Sequence, residues 1–358
     1  MQIRLGLTYD DVLLIPRYSE VSPRNTDLRV NLAGIKLELP FLSAPMDTVT
    51  EYAMAKAMSE LGGLGVIHKN MAAETQAGMV KQLVADGLIG AASVGGGDEE
   101  FERAKLLVEA GARMIVVDSA HGHAQSVLNQ VKRIKKAFGK RIVVVGGNVA
   151  SGAGTKALIA AGADVVKVGV GPGSICTTRV IAGVGAPQLT AVMDAVAAAK
   201  KTKTPIIADG GIKYSGDIVK ALAAGATVVM AGGLFAGTDE APGEVITKDG
   251  KKLKMYRGMG SADAMEMGSK DRYGQKDTTD KKKLVAEGIV GYTDYKGAVG
   301  DVVFQLAGGL RAGMGYNGAK NLKALATKPD FIQITSAGFA ESHPHSLKMI
   351  ESSSNYKK

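Results

Sequence analysis

The sequence predicts an α/β fold, a (β/α)8 TIM barrel with a long flap insertion after its eighth strand. Three observations predict it. From about residue 40 one unit recurs: a short apolar run rich in Val and Ile, a glycine-rich or polar turn, then an amphipathic stretch rich in Ala, Leu and Lys. The apolar runs number eight. They are near-continuous rather than alternating, which is how parallel strands buried on both faces read. Eight such units favour a closed barrel over an open doubly wound sheet.

The runs, in order, are PFLSAPM (40–46), GLGVIHK (63–69), LIGAASV (88–94), MIVVDSA (114–120), RIVVVGGN (141–148), DVVKVGV (164–170), PIIADGG (205–211) and TVVMAGG (227–233). Between them lie helical patterns. Residues 99–111 set Phe101, Ala104, Leu107 and Val108 on one stripe, and residues 123–139 do the same with Val127, Val131, Ile134 and Phe138. Several of these stretches run into Gly, the expected helix stop. After the eighth run the next helix pattern starts near Asp301, so residues 234–300 form an insertion. It is rich in Gly, Lys and Asp and poor in apolar periodicity. On a barrel it falls on the catalytic face, where a loop of that length reads as a lid or flap. Residues 1–39 and the tail after Lys323 flank the barrel. No linker divides the chain, so 1–358 reads as one catalytic domain.

Composition narrows the function class. Hydrophobic residues make up 46% and charged residues 22%, a globular mix. The net charge is +9, yet the basic residues are dispersed and the densest cluster is only Lys281 to Lys283. Aromatics are 5% and Trp is absent, a poor supply for stacking on bases, so no nucleic-acid partner is expected. A positive surface that steers a small anionic substrate explains the charge at least as well. No apolar run approaches the length of a membrane span, and MQIRLGLTYDDVLL lacks the apolar core of a signal peptide. The lone Cys176 excludes an internal disulfide and any multi-cysteine metal centre within one chain. It suits a reducing compartment, so a cytoplasmic location is expected.

Barrel active sites lie at the C-terminal ends of the strands, and this rule filters the candidates. Asp118 and His121 end the fourth run, Asn148 the fifth, and Asp209-Gly210-Gly211 the seventh. Cys176 sits after the sixth, within GVGPGSICTTR (169–179). There a glycine-rich turn and Arg179 favour a thiolate nucleophile; a lone Cys elsewhere is more often an inert buried thiol. The paired glycines Gly210-Gly211 and Gly232-Gly233 follow runs seven and eight, the usual phosphate site of this fold, although ordinary tight turns also use such pairs. Gly169-Val170-Gly171-Pro172-Gly173 fails as a dinucleotide fingerprint, because its glycines are spaced two apart and it belongs to the sixth unit. His121 and His123 have no third ligand placed by sequence, so a loop or helix-start role is preferred over a metal. By itself, ESHPH (341–345) reads as a surface turn.

These segments name a family. GVGPGSICTTR resembles the catalytic cysteine loop of IMP dehydrogenases and GMP reductases. LTYDDVLLIP (7–16), SAPMDTVTE (43–51), DSAHGH (118–123), GGNV (146–149), ADGGIKYSGDI (208–218), AGTDEAPGE (236–244) and YRGMGS (256–261) resemble motifs of the same superfamily, in the same order. Within it, GSKDRYGQ (268–275) resembles the mobile flap of the dehydrogenases, with Arg272 and Tyr273 as its Arg-Tyr pair. The reductases have a shorter insertion without that pair, and ESHPH is also dehydrogenase-like.

The resemblance implies oxidation of IMP by NAD. It places the substrate phosphate on Ser174, Gly211, Gly232, Gly233 and Tyr256, the ribose on Asp209, and the rest of IMP near Ala44, Met46, Gly210, Gly258, Met259, Gly260 and Glu287. It makes Cys176 the nucleophile at C2 of the purine. It puts the nicotinamide end of NAD near Asp118, Ser119, Ala120, Asn148, Gly169 and Met259. Arg272, Tyr273, Thr178 and Glu287 then serve the water that releases XMP. It also implies a potassium ion on carbonyls of Gly171, Gly173 and Cys176, with Glu341, Ser342 and His343 from a neighbouring subunit, and hence a homotetramer. Two departures stand out. Most members carry a pair of CBS modules between the helix after strand two and strand three, where residues 79–93 here run straight through. Gly233 stands where many members have a Ser that contacts phosphate. The rival readings are a GMP reductase and a non-catalytic nucleotide-binding scaffold.

Overall fold

The computed structural model describes residues 3–347 and Tyr356; the two ends of the 1–358 assignment lie outside them. The strands are β1 (Phe41–Ser43), β2 (Leu64–Gly65), β3 (Ala91–Val94), β4 (Met114–Asp118), β5 (Val143–Val149), β6 (Val165–Val168), β7 (Ile206–Asp209) and β8 (Val228–Ala231). All eight coincide with the apolar runs. They form one parallel sheet in the order β2-β1-β8-β7-β6-β5-β4-β3. Ile67 closes the seam: its N–H donates to Ala91 O and its carbonyl accepts from Ser93 N, both at 2.9 Å.

Each strand is followed by a helix: α1 (Tyr52–Glu60), α2 (Ala73–Ala85), α3 (Asp98–Glu109), α4 (Gln125–Phe138), α5 (Gly152–Ala160), α6 (Gln188–Ala199), α7 (Ser215–Ala223) and, after the insertion, α8 (Val299–Tyr316). The absence of polar alternation in the strands now has its cause. On β4, Met114 and Val116 join a core inside the barrel, while Ile115 and Val117 join the larger core beneath the helices. Both faces are dry, so both must be apolar.

The flanking residues have structure that the strand pattern did not announce. Val30–Leu32 and Ile35–Leu37 form a hairpin turning at Ala33 and Gly34, both at positive φ. Leu32, Ile35 and Leu37 join the inner core. Val12–Leu14 pairs with Phe331–Gln333 and ties the beginning of the chain to its tail.

The insertion is not a bare loop. It holds an antiparallel sheet of β9 (Val245–Lys248), β10 (Lys251–Arg257) and β11 (Val290–Asp294). β9 is exposed at every residue, so no core face imposed an apolar period on it. The overlooked signal was Asp249-Gly250, a two-residue hairpin turn with φ of 51° and 73°. Lys254, buried in β10, donates to the carbonyls of Thr238 and Ala241 at 2.9 and 2.5 Å and fastens this sheet to the loop after β8.

Candidate active site

The C-terminal mouth of the barrel opens into a cleft. Cys176 lies in its wall, on the loop after β6. The loop is pinned from several sides. Cys176 N donates to Gly173 O at 3.1 Å, and its Sγ lies 3.2 Å from Thr178 Oγ1, to which it donates. Arg179 crosses beneath, its guanidinium donating to Val170 O and Ala186 O. Gly171 must be glycine here: its φ is +80° and a Cβ would lie 2.5 Å from Arg179 Cγ. A side chain on a loop held this way keeps its direction.

The floor of the cleft is the uppermost inward layer of the barrel, and it is charged. Lys167 on β6 is 1% exposed. Its ammonium donates to Asp118 Oδ1 at 2.9 Å, to Asp209 Oδ2 at 2.7 Å and to Asn148 Oδ1. Asn148 also donates to Asp209 Oδ2 and Gly169 O, both at 2.8 Å. Residues from β4, β5, β6 and β7 thus form one network. Sequence reading missed Lys167. Its signal was available, since a lone Lys inside the apolar run DVVKVGV has to find buried counter-charges. Two residues beyond Val165 on the inward face, it could point only toward the mouth.

The insertion supplies the opposite wall. Residues Glu287–Ile289 add an edge to the cysteine loop: Thr177 N donates to Glu287 O at 2.9 Å and Ile289 N to Ile175 O at 3.1 Å. Glu287 N donates in turn to Gly260 O at 2.9 Å. Arg272 forms an ion pair with Asp118, so it sits on the end of β4. Its Nε is buried without a partner among the described residues. The Tyr273 ring packs on Gly260, where a Cβ would lie 2.7 Å from Tyr273 Cζ. Burial pushes the Tyr273 phenol up, and the Arg272 guanidinium pulls it the other way.

A second niche lies beside Met46. Gly232 has no room for a Cβ, which would stand 2.7 Å from Tyr256 Oη and 2.9 Å from Met46 Sδ. Around Gly233 are Ser174 Oγ and the Tyr256 ring, each 3.4 Å from where a Cβ would be. Burial raises the Tyr256 phenol and its bond with Ser174 lowers it, so the hydroxyl stays a donor.

The sequence candidates fall into three groups. Ala44, Met46, Asp118, Ala120, Asn148, Gly169, Gly171, Gly173, Cys176, Thr178, Asp209, Gly210, Gly232, Tyr256, Gly258, Met259, Gly260, Arg272, Tyr273 and Glu287 all line the one cleft. Ser119, Ser174, Gly211 and Gly233 neighbour these residues without lining the cleft. Ser119 is tied to β5 by bonds with Gly147 O and Asn148 N at 3.0 and 2.8 Å, and Gly211 backs onto Pro172 and Gln188. Glu341, Ser342 and His343 form a separate cluster at the end of the short helix Ser336–Glu341. Ser342 donates to Gly338 O at 2.8 Å, and the His343 ring meets Phe339 edge-on at 4.6 Å and lies near Tyr214 and Tyr356. Among the described residues no group of three or more His, Cys, Asp or Glu is arranged to hold a metal ion, and no helix is long and apolar enough to cross a membrane.

Known proteins share this arrangement of sequence. The family model described as IMP dehydrogenase / GMP reductase domain matches residues 6–345. Inosine-5'-monophosphate dehydrogenase of Bacillus subtilis is 42% identical over 480 aligned positions, covering 98% of this chain and 98% of that one. The Aquifex aeolicus enzyme of the same name is 41% identical over 485 positions, covering 99% and 98%, and that of Staphylococcus epidermidis is 41% identical over 479, covering 98% of each. Alignments of that length against 358 residues mean that the relatives carry over a hundred residues without counterpart here, as fits a form lacking the CBS modules. The chain belongs to the IMP dehydrogenase / GMP reductase family.

Proposed function

We propose that this chain oxidises IMP to XMP with NAD, with Cys176 as the nucleophile of the redox half and the leaving group of the hydrolytic half. The observation that carries the reading is the meeting, at one barrel mouth, of the pinned Cys176 loop with a segment whose Arg272 is seated on Asp118. A GMP reductase has no use for that segment.

The phosphate of IMP rests against the backbone of Gly211, Gly232 and Gly233 and the hydroxyls of Ser174 and Tyr256. Gly233 offers only its N–H there. Asp209 takes the ribose hydroxyls, its carboxylate already oriented by Lys167 and Asn148. Cys176 Sγ adds to C2 of the purine, and loss of hydride from C2 leaves a thioimidate on the sulfur. NAD, when bound, accepts that hydride. The residues fit such a cofactor: Asp118, beside Asn148 and Met259, already holds one flat cation, the Arg272 guanidinium, and the nicotinamide ring is another.

The two cations cannot share Asp118, so hydrolysis follows departure of the reduced cofactor and seating of the flap. Thr178 contacts the incoming water, Arg272 and Tyr273 activate it, and Glu287 takes part in moving its proton. Guanidinium groups in proteins do not give up their proton. In the seated arrangement Arg272 therefore acts as charge and donor, and the proton leaves through Thr178 and Glu287. Water then displaces the sulfur at C2 and frees XMP.

A potassium ion suits the cysteine loop, because no backbone N–H among the described residues donates to the carbonyls of Gly171 or Cys176. Glu341, Ser342 and His343 of a neighbouring copy complete that site in a homotetramer. We place the enzyme in the cytoplasm, where its one thiol stays reduced.

The test is absorbance at 340 nm with IMP, NAD and potassium. NADH forms with the wild type, and Cys176→Ala lowers the rate by on the order of a thousandfold or more. Consumption of NADPH with GMP in place of NADH formation would mean a reductase. Neither reaction in a folded protein would mean a binding scaffold.

A further inference from the structure

With Arg272 on Asp118, the end of β4 is closed and the Asp118 side chain is only 5% exposed. A dinucleotide that reaches Asp118 has to lift this segment. Whatever holds the segment down therefore sets the competition between cofactor and flap.

The residue before Arg272 is Asp271. Its carboxylate meets the Lys69 ammonium at 2.7 Å, with side-chain exposures of 8% for Lys69 and 20% for Asp271. Lys69 follows β2 and belongs to the barrel; Asp271 belongs to the insertion. The seat is shaped for this pair. At Gly95, just after β3, a Cβ would lie 2.3 Å from Asp271 Oδ2 and 3.3 Å from Lys69 Cε. The neighbours of Lys69 are themselves fixed: His68 Nδ1 accepts from Asn70 N at 3.0 Å, His68 Nε2 faces Glu51 at 3.2 Å, and Asn70 donates to Asp47 at 2.6 Å. A nearby pair between insertion and barrel, Lys276 with Glu99, is 62% and 79% exposed, and such pairs contribute little. Separation of the desolvated Lys69–Asp271 pair instead strands a mostly buried charge.

We propose that Lys69 is a positioning residue for the hydrolytic half of the reaction. Its ammonium holds Asp271, and through it Arg272, in the seated place. It does not enter hydride transfer. This rests on the proposed function above.

The experiment is stopped-flow and steady-state NADH formation with IMP, NAD and potassium for Lys69→Met, Asp271→Asn and the double variant. Each single variant slows steady-state turnover by roughly ten- to a hundredfold, the worth of a hydrogen bond to a charged group. The first turnover changes by less than about twofold, because the nucleophile loop is untouched. A burst approaching one NADH per Cys176 follows, and excess NAD inhibits at lower concentration than in the wild type. The double variant is no slower than the slower single one, since both remove one interaction. Equal loss of burst and turnover, multiplied losses in the double variant, or turnover like the wild type each overturn the proposal. Should circular dichroism show Lys69→Met unfolded, Asp271→Asn decides by the same readouts. A wild type that makes no NADH from IMP overturns the proposed function itself, whereas an active wild type with indifferent variants overturns only the role of Lys69.

Discussion

Along β4 every residue from Met114 to Asp118 is buried, whereas along β9 every residue from Val245 to Lys248 is exposed. The two strands belong to one molecule, but different forces hold them. The barrel wall is fixed by apolar burial on both faces, at about 1.5–3 kcal/mol for each fully buried aliphatic side chain. The insertion is fixed on the site by a few directional contacts: Arg272 on Asp118, Asp271 on Lys69, and the backbone edge at Glu287–Ile289. The difference teaches what each part is free to do. A wall with two dry faces cannot move without losing its core. A segment seated by ion pairs can leave and return, because water and salt offer its charges an alternative.

This comparison can be broken or sharpened by substitution. The largest effect on stability should come from Lys167→Met, which takes their shared counter-charge from the buried Asp118 and the partly buried Asp209. A loss of about 3–5 kcal/mol is expected, read as a lower midpoint in urea, with Lys167→Arg recovering part of it. Ile207→Ala, in the fully buried inner core, should cost about 2–5 kcal/mol by the same measurement. If either leaves the midpoint unchanged, the wall is not held as described.

Arg272→Ala should shift the midpoint by under about 1 kcal/mol, since Asp118 keeps Lys167 as its counter-charge. Its effect should appear in hydrolysis instead: a single burst of NADH, then turnover slowed by on the order of a hundredfold. Loss of burst and turnover together would count against a movable segment. Tyr273→Phe should cost less than about tenfold near pH 8. Burial raises the phenol, so the hydroxyl stays protonated there, and the deficit should grow as pH climbs toward its raised pKa. A deficit that shrinks with rising pH would contradict this. Smallest of all, Thr247→Ala on exposed β9 should stay within about 0.5 kcal/mol and leave turnover unchanged.

Much of the site was legible because the barrel fold converts chain position into place. Once the eight runs are strands, Asp118, Asn148, Cys176 and Asp209 have to meet at one end. Lys167 is equally legible in principle, as the single charge between the buried valines of its run. The sheet in the insertion was harder to see, because exposed strands carry no apolar period and only the turn at Asp249-Gly250 marked it. Lys69 and Asp271 are separated by 202 positions, and nothing local in either segment pairs them.

The sequence by itself determined the barrel, its order of strands, the end at which chemistry gathers and the family. Hydrophobic burial is periodic and local, so it leaves its mark residue by residue. Only the tertiary structure decided which charges share a partner: Lys167 between two carboxylates, Arg272 on the same Asp118, Asp271 in the seat made by Lys69 and Gly95. Electrostatic pairing is set by distance in space and by loss of water, and neither is written in the spacing of residues along the chain.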